Sequence, residues 1–326
     1  MTALLEELST IALGEPRHFR NLTLFPLLRP EPAQAAPDYL LADEAIARGL
    51  ARVTELGGGG SVPELRFEND SDFPVLLVDG EELVGAKQNR VLNLTVLAPA
   101  KAALVIPVSC VEAGRWRPET AAFRLATHLM YSQARAARVR DVTASMRAGG
   151  GRRSDQSAVW EDIAAKAERL DAPSPTAAMS AIYERHAISL EEYVRELRIR
   201  DPHSGLLFAI GGTPLGMDLF DHPATMGAFF PKLLRSYALD ALDAPADAAP
   251  ALAPDARKFL DAVSGACGMA QPALGLGKDV RIAGPSVSGA ALWANGRYIH
   301  VCAFAANGGA PEPHFRTRMS RPSRRR

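Results

Sequence analysis

Val91-Leu92-Asn93-Leu94-Thr95-Val96-Leu97-Ala98-Pro99-Ala100-Lys101-Ala102-Ala103-Leu104-Val105-Ile106-Pro107-Val108-Ser109-Cys110-Val111 reads as two apolar runs around a short, turn-prone break. Strands joined by so few residues pair antiparallel, because a parallel crossover needs a dozen or more. Taken as strands 91–97 and 103–111 folded about Pro99-Ala100-Lys101, the stretch is a hairpin whose far ends meet. Positions 88–93 then lie opposite roughly 107–112, which brings Gln88 and Arg90 near Cys110 and Glu112. A slip of one residue would reverse the faces.

Working outward, Leu65-Arg66-Phe67 and Val75-Leu76-Leu77-Val78 are further short β runs, separated by Asn69-Asp70-Ser71-Asp72 and followed by Asp79-Gly80. Before them the pattern predicts a short helix over 3–12, a strand over Arg20 to Leu28, and a helix over Asp38 to Val53 with Asp38 as its N-cap. Gly57 to Gly60 lacks the lysine and Ser/Thr of a phosphate loop and reads as a hairpin loop or linker. After Trp116 the pattern turns helical. Helices are expected over Pro118 to Asp141, from a Ser154 or Asp155 cap through Leu170, over Thr176 to Arg185, and over Ser189 to Leu197 with a Ser-Leu-Glu-Glu capping box.

Leu206 to Ile210 and Leu215 to Phe220 then flank Gly211-Gly212-Thr213-Pro214 as a hairpin. Pro223 to Leu242 and Pro254 to Ser264 read as helices. Ala290 to Trp293 and Arg297 to Phe304 flank Asn295-Gly296, the favoured type I′ dipeptide. Segregated strands and helices argue for an α+β fold. The expected organisation is a single domain over 1–315, its β-rich first third covered by the central helices, with a basic, disordered tail over 316–326.

The bulk numbers restrict the function classes. Of 326 residues, 47% are hydrophobic and 23% charged, which places the chain among globular rather than disordered proteins. Lys plus Arg and Asp plus Glu number 37 each, so no overall field points to nucleic acid or a membrane. Six of the arginines fall within Arg316 to Arg326, leaving 31 basic against 37 acidic residues, a net of −6, over 1–315. That tail reads as a solvated end, with nucleic acid or an acidic partner as the alternative. Three cysteines, Cys110, Cys267 and Cys302, build no disulfide framework, and Met1 to Glu15 holds no basic residue to open a secretory leader. A soluble, cytoplasmic chain is the expectation. His-Glu-x-x-His, Gly-x-Ser-x-Gly and Gly-x-Gly-x-x-Gly patterns are all missing, while Asp218, Asp221 and His222 read either as metal ligands or as a turn.

One strip concentrates the polar chemistry. Glu81, Glu82, Lys87, Gln88, Asn89 and Arg90 sit between apolar strands, and Cys110, Glu112, Arg115 and Trp116 close the next one. Glu82 or Glu112 can serve as general base or metal-orienting carboxylate, and a divalent metal stays open. Arg90 and Arg115 offer planar forks for phosphate. Gln88 and Asn89 can donate to and accept from a polar ligand, and Trp116 offers a flat face for a base. Cys110 is a candidate nucleophile, which requires a depressed pKa. The alternatives are core packing for Cys110 and Trp116, and a structural ion pair for Glu112 with Arg90 or Arg115.

Gly80-Glu81-Glu82-Leu83-Val84-Gly85-Ala86-Lys87-Gln88-Asn89-Arg90 and Val108-Ser109-Cys110-Val111-Glu112-Ala113-Gly114-Arg115-Trp116 resemble the two signature strips of the bacterial ADP-ribosylglycohydrolase-and-rhodanese-phosphatase-associated domain family. Gln156, Val159 and Trp160 resemble its helical element, and Gly205 to Phe220 its Gly-rich hairpin. The resemblance covers most of 15–305 and implies a role near ADP-ribose or NAD metabolism. Its signature polar residues would be Glu82, Gln88, Arg90, Cys110, Glu112, Arg115 and Trp116. Three readings stay open: an enzyme, such as a hydrolase, acting on a nucleotide-derived or ADP-ribose-like small molecule; a non-catalytic sensor of such a ligand; and an interaction protein with a structural polar network.

Overall fold

The computed structural model describes residues 7–30, 35–57, 61–199, 202–246 and 248–306. The chain opens with strands β1 (Ala12–Leu13), β2 (Arg17–Phe19), β3 (Leu22–Leu28) and β4 (Leu40–Leu41), followed by helix α1 (Ala42–Ala47). Strands β5 (Ala51–Glu55), β6 (Glu64–Asn69), β7 (Val75–Leu77), β8 (Glu81–Gly85), β9 (Arg90–Leu92), β10 (Val96–Ala98), β11 (Ala102–Cys110) and β12 (Phe123–Leu129) come next. Helices α2 (Ser132–Arg147), α3 (Gln156–Arg169), α4 (Met179–Arg185) and α5 (Ala187–Glu196) form the middle. Strands β13 (Gly205–Ile210) and β14 (Thr213–Phe220) precede helices α6 (Pro223–Leu242) and α7 (Ala253–Ser264). Strands β15 (Cys267–Pro272), β16 (Lys278–Ala283), β17 (Val287–Ala294) and β18 (Arg297–Ala305) close the described chain. The fold is α+β. No helix among the described residues is long and apolar enough to cross a membrane.

The two ends of the chain meet in a nine-stranded sheet ordered β1-β3-β13-β14-β18-β17-β16-β15, with β2 beside β3. Strand alternation explains its burial. Leu22, Leu24, Leu206 and Phe208 face one core with Leu233 and Tyr237 of α6. Phe25, Leu27, Leu207 and Ala209 face another with Phe259 and Leu260 of α7. Chain 40–129 builds a six-stranded sheet, β12-β8-β9-β11-β6-β5, and a three-stranded one, β10-β7-β4, around a third core holding Phe67, Leu77, Leu83 and Ile106. Among these pairings only β4 with β7 is parallel.

The expected register holds where it matters. Arg90 stands opposite Cys110, Val91 opposite Ser109 and Leu92 opposite Val108. The hairpin itself is split, however. Val96–Ala98 pairs with Val75–Leu77, while Ala102–Pro107 pairs with Glu64–Asn69. The reason is burial. Val96–Ala98 is buried throughout, whereas alternate residues of β11, Ala103 and Val105, face solvent, so the two runs cannot share one half-exposed sheet.

Other expectations need correcting. Pro118 to Asp141 is not one helix: Phe123–Leu129 is the outer strand on β8, and the helix begins at Ser132. Asp38 to Val53 divides into β4, α1 and β5, and Asp38 accepts from Arg297 instead of capping a helix. Helix α5 begins at Ala187, so the Ser189 capping box lies inside it unused. In the N-terminal stretch expected as helix, residues 7–9 are helical and Ala12–Leu13 is a strand. Strands β15 and β16 carry no alternation strong enough to announce them.

Asp155, by contrast, caps α3 by accepting from the N–H groups of Ser157 and Ala158. Asn295 and Gly296 take the left-handed backbone a type I′ turn requires. Strands β5 and β6, on either side of Gly57 to Gly60, pair antiparallel, and residues 58–60 lie outside the described residues. The arginine tail also lies outside them.

Candidate functional site

Asp79-Gly80-Glu81-Glu82 is where the parts of the fold are tied together. Asp79 accepts from Arg135 Nε (3.3 Å) and from Arg138, and Arg135 makes two bonds to Asp218 (2.8 and 3.2 Å). Gly80 must be glycine: its φ is +85°, and a Cβ there would stand 2.8 Å from the Arg135 side chain. Glu81 accepts from Lys232 of α6 at 2.8 Å. Glu82, fully buried, accepts from Asn89 Nδ2 at 3.2 Å and lies 2.6 Å from His128 Nε2. Three carboxylates within four residues thus reach three different elements.

The turn after β8 positions the rest. Ala86 has φ +40°, a strained conformation for a residue with a Cβ. It is held by three bonds: its N–H donates to Thr120 Oγ1, and its carbonyl accepts from Arg115 Nη1 (2.7 Å) and the Glu119 N–H (3.0 Å). This turn presents Gln88 and Asn89 to the end of β11. Gln88 Nε2 donates to the Glu112 carbonyl at 3.0 Å, and the Asn89 N–H donates to Glu112 Oε2 at 3.0 Å. Arg115 Nη2 donates to the same oxygen at 2.6 Å and to Asn89 Oδ1 at 3.1 Å. Gln156 completes the edge of β11: its side-chain amide accepts from the Cys110 N–H (2.7 Å) and donates to the Cys110 carbonyl (2.8 Å), as a neighbouring strand would.

All the sequence-expected residues therefore converge, but they divide by environment. Glu112 is buried, and burial by itself would raise its carboxyl. The bonds from Arg115, the Asn89 N–H and Thr176 outweigh it and hold the carboxyl below its ordinary range. Arg115 is raised in turn, chiefly by its hydrogen bond to Glu112, and spends its fork on protein acceptors. That arrangement positions the turn, and it leaves Arg115 little to offer a phosphate.

Cys110 lies in a different environment. Burial, only partly offset by the Glu112 N–H and Arg90, pushes its thiol up, the direction opposite to an activated nucleophile. Its Sγ instead lies 3.2 Å from Gln88 Oε1 as a donor.

Arg90 differs. It is fully buried and donates from Nη1 to Gln88 Oε1 (3.0 Å) and the Asn89 carbonyl (3.3 Å). Its Nε and Nη2 have no partner among the described residues. Burial lowers its pKa, despite the opposing pull of Cys110 and Glu55. The guanidinium lies 5.7 Å from the Trp116 ring centroid, and Lys87 Nζ lies 5.3 Å from it. Trp116 is not core: 48% of it is exposed.

His128 was invisible in the sequence, because it falls in the stretch read as helix, where no face could be assigned to it. Among the described residues no group of three or more His, Cys, Asp or Glu side chains is placed to hold a metal ion. The two glutamates expected to orient one are bonded elsewhere. Of the other metal candidates, Asp218 pairs with Arg135 and His300, Asp221 with Tyr39 and Arg297, and His222 caps α6 by accepting from the Ala224 N–H.

Comparison with curated proteins gives no match, and comparison with solved structures gives none. A family model does match, over residues 10–304, and it takes in both signature strips, the α3 element and the β13–β14 hairpin. The chain therefore belongs to the ARG and Rhodanese-Phosphatase-superfamily-associated Protein domain family.

Proposed function

We propose that the chain binds and acts on a nucleotide-derived, ADP-ribose-like small molecule at the rim formed by Trp116, Lys87 and Arg90. The observation that carries this reading is the half-exposed Trp116 ring with two cations within 6 Å of its centroid, one of them a buried arginine with two unpartnered nitrogens. Buried donors without partners are costly unless a ligand or water meets them, so this spot suits an anion beside an aromatic platform. A base stacked on Trp116 gains about 1–3 kcal/mol, and a phosphate can approach Lys87 next to it, with the buried Arg90 adding positive charge from beneath. Glu112, Arg115, Asn89 and Gln88 then act as the frame that holds the rim.

A second reading, a sensor that binds the same ligand without turning it over, has its own support. The Cys110 thiol is raised by burial, and Glu112 is committed to Arg115. Calorimetric titration of the full chain with ADP-ribose, NAD and simple nucleotides tests binding. Trp116→Ala should weaken the affinity by roughly 5- to 100-fold. Heat signals identical in wild type and variant would sink the reading. Product analysis on the ligand that binds then separates enzyme from sensor.

A further inference from the structure

A second polar feature lies on the far side of Glu82. Strand β12 is the outer strand of the six-stranded sheet, and its pairing with β8 slips between Leu125 and Leu129. Slips of this kind re-aim side chains and recur beside active sites. Here the slipped residues include His128, which with Arg124 and Ala126 lines a cleft of about 250 Å³.

The imidazole is held on two sides. Its Nε2 is 2.6 Å from Glu82 Oε2, and its ring stacks on Tyr183 at 3.7 Å and 7°. Tyr183 is itself anchored through its hydroxyl to the Leu129 carbonyl at 2.7 Å. Nε2 is taken up by Glu82, and Nδ1 has no protein partner among the described residues. Arg124, in the same lining, is exposed and makes no ion pair among the described residues, whereas Arg235 is bound to Glu191 and the Thr127 carbonyl.

We propose that this cleft binds a small phosphorylated polyol, with Arg124 taking the anionic group and His128 Nδ1 hydrogen-bonding a hydroxyl. The slip shortens the strand here: Leu125 and Leu129 stand opposite Leu83 and Glu81, so four residues of β12 advance by two residues of β8, roughly 7 Å. A compact sugar phosphate can therefore meet both side chains. The volume is below the roughly 300–1,000 Å³ of drug-sized sites, so a whole dinucleotide does not fit. The inference does not rest on the nucleotide reading, since the two sites share only Glu82 as support.

The test is a titration of the ¹⁵N-labelled full chain with ribose 5-phosphate, read on the His128 ring nitrogens by NMR and on affinity by calorimetry, with inorganic phosphate as the parallel probe. Ribose 5-phosphate should move the His128 Nδ1 signal, and inorganic phosphate should bind without moving it. Arg124→Ala, at an exposed position, should weaken both by about ten-fold or more. His128→Gln should reduce the sugar phosphate to the affinity of inorganic phosphate. A His128 ring that ignores ribose 5-phosphate, or an Arg124→Ala chain that binds it as the wild type does, overturns the proposal even if His128→Gln fails to fold.

Discussion

Glu112→Gln separates the framework of the signature cluster from its chemistry. Glu112 Oε2 accepts from Arg115 Nη2 at 2.6 Å and from the Asn89 N–H at 3.0 Å, in a position only 4% exposed. Glutamine keeps an oxygen that can accept both bonds, so the loss is mainly the charge facing Arg115. Removing one partner of a buried pair outright costs about 3–5 kcal/mol, and a hydrogen bond to a charged group contributes about 1.5–3. Because the bonds persist in neutral form, the smaller range applies, and about 2 kcal/mol at pH 7 is expected. With an unfolding entropy of about 2.1 cal/mol/K per residue, a chain of this length should melt about 3 °C lower.

The pH dependence carries its own sign. The Glu112 carboxyl is held below its ordinary range in the folded chain. Its contribution is therefore complete above the unfolded value of about 4.3 and disappears as pH falls through the folded value. Thermal unfolding followed by circular dichroism from pH 7 downward should show a gap between wild type and variant that closes in acid. Equal melting temperatures at pH 7, or a gap that does not change with pH, would refute the reasoning.

Three further outcomes follow from the same structure. Gly80→Ala forces a Cβ to 2.8 Å from an Arg135 side chain pinned on Asp218, at φ +85°, and should cost about 1–3 kcal/mol, read as a lower urea midpoint. Iodoacetamide should label exposed Cys267 well before buried Cys110 and Cys302 in the native chain, as scored by peptide mass spectrometry; early labelling of Cys110 would restore it as a reactive thiol. Asp218→Asn should destabilise by about 3–5 kcal/mol at neutral pH, because both carboxylate oxygens accept from Arg135 and the amide nitrogen would face one of its N–H groups. Burial alone would raise the Asp218 carboxyl, yet Arg135 and His300 hold it at about 2, so its contribution is lost only as pH falls toward that value. Urea unfolding at pH 7 and at mildly acidic pH should therefore show nearly the same deficit for Asp218→Asn.

How far the site was legible can be traced residue by residue. Arg90 faces Cys110 because a hairpin about Ala100 pairs positions that sum to the same value, and that arithmetic survived even though the strands between were drawn into different sheets. Gln88, Asn89, Glu112 and Arg115 followed from it. The partners that decide their character did not. Gln156, Lys232, Arg135 and His128 lie tens of residues away, and nothing in local periodicity says which side chain will arrive opposite a given carboxylate.

What the linear order of residues determined is the set of elements whose signals are local: the Asn295-Gly296 turn, the Asp155 cap, the helix over Pro223–Leu242, and the antiparallel register that joins the two signature strips. These depend on backbone preferences and alternation over a few residues, which act before distant segments meet. Tertiary structure alone decided that Val96–Ala98 leaves its neighbour strand, that Phe123–Leu129 is extended, and that Arg90 is buried with nitrogens to spare while Arg115 is satisfied. Burial and hydrogen-bond satisfaction belong to the packed whole. A guanidinium's availability depends on which carbonyls and carboxylates the rest of the chain brings to it, and those come from every part of the fold.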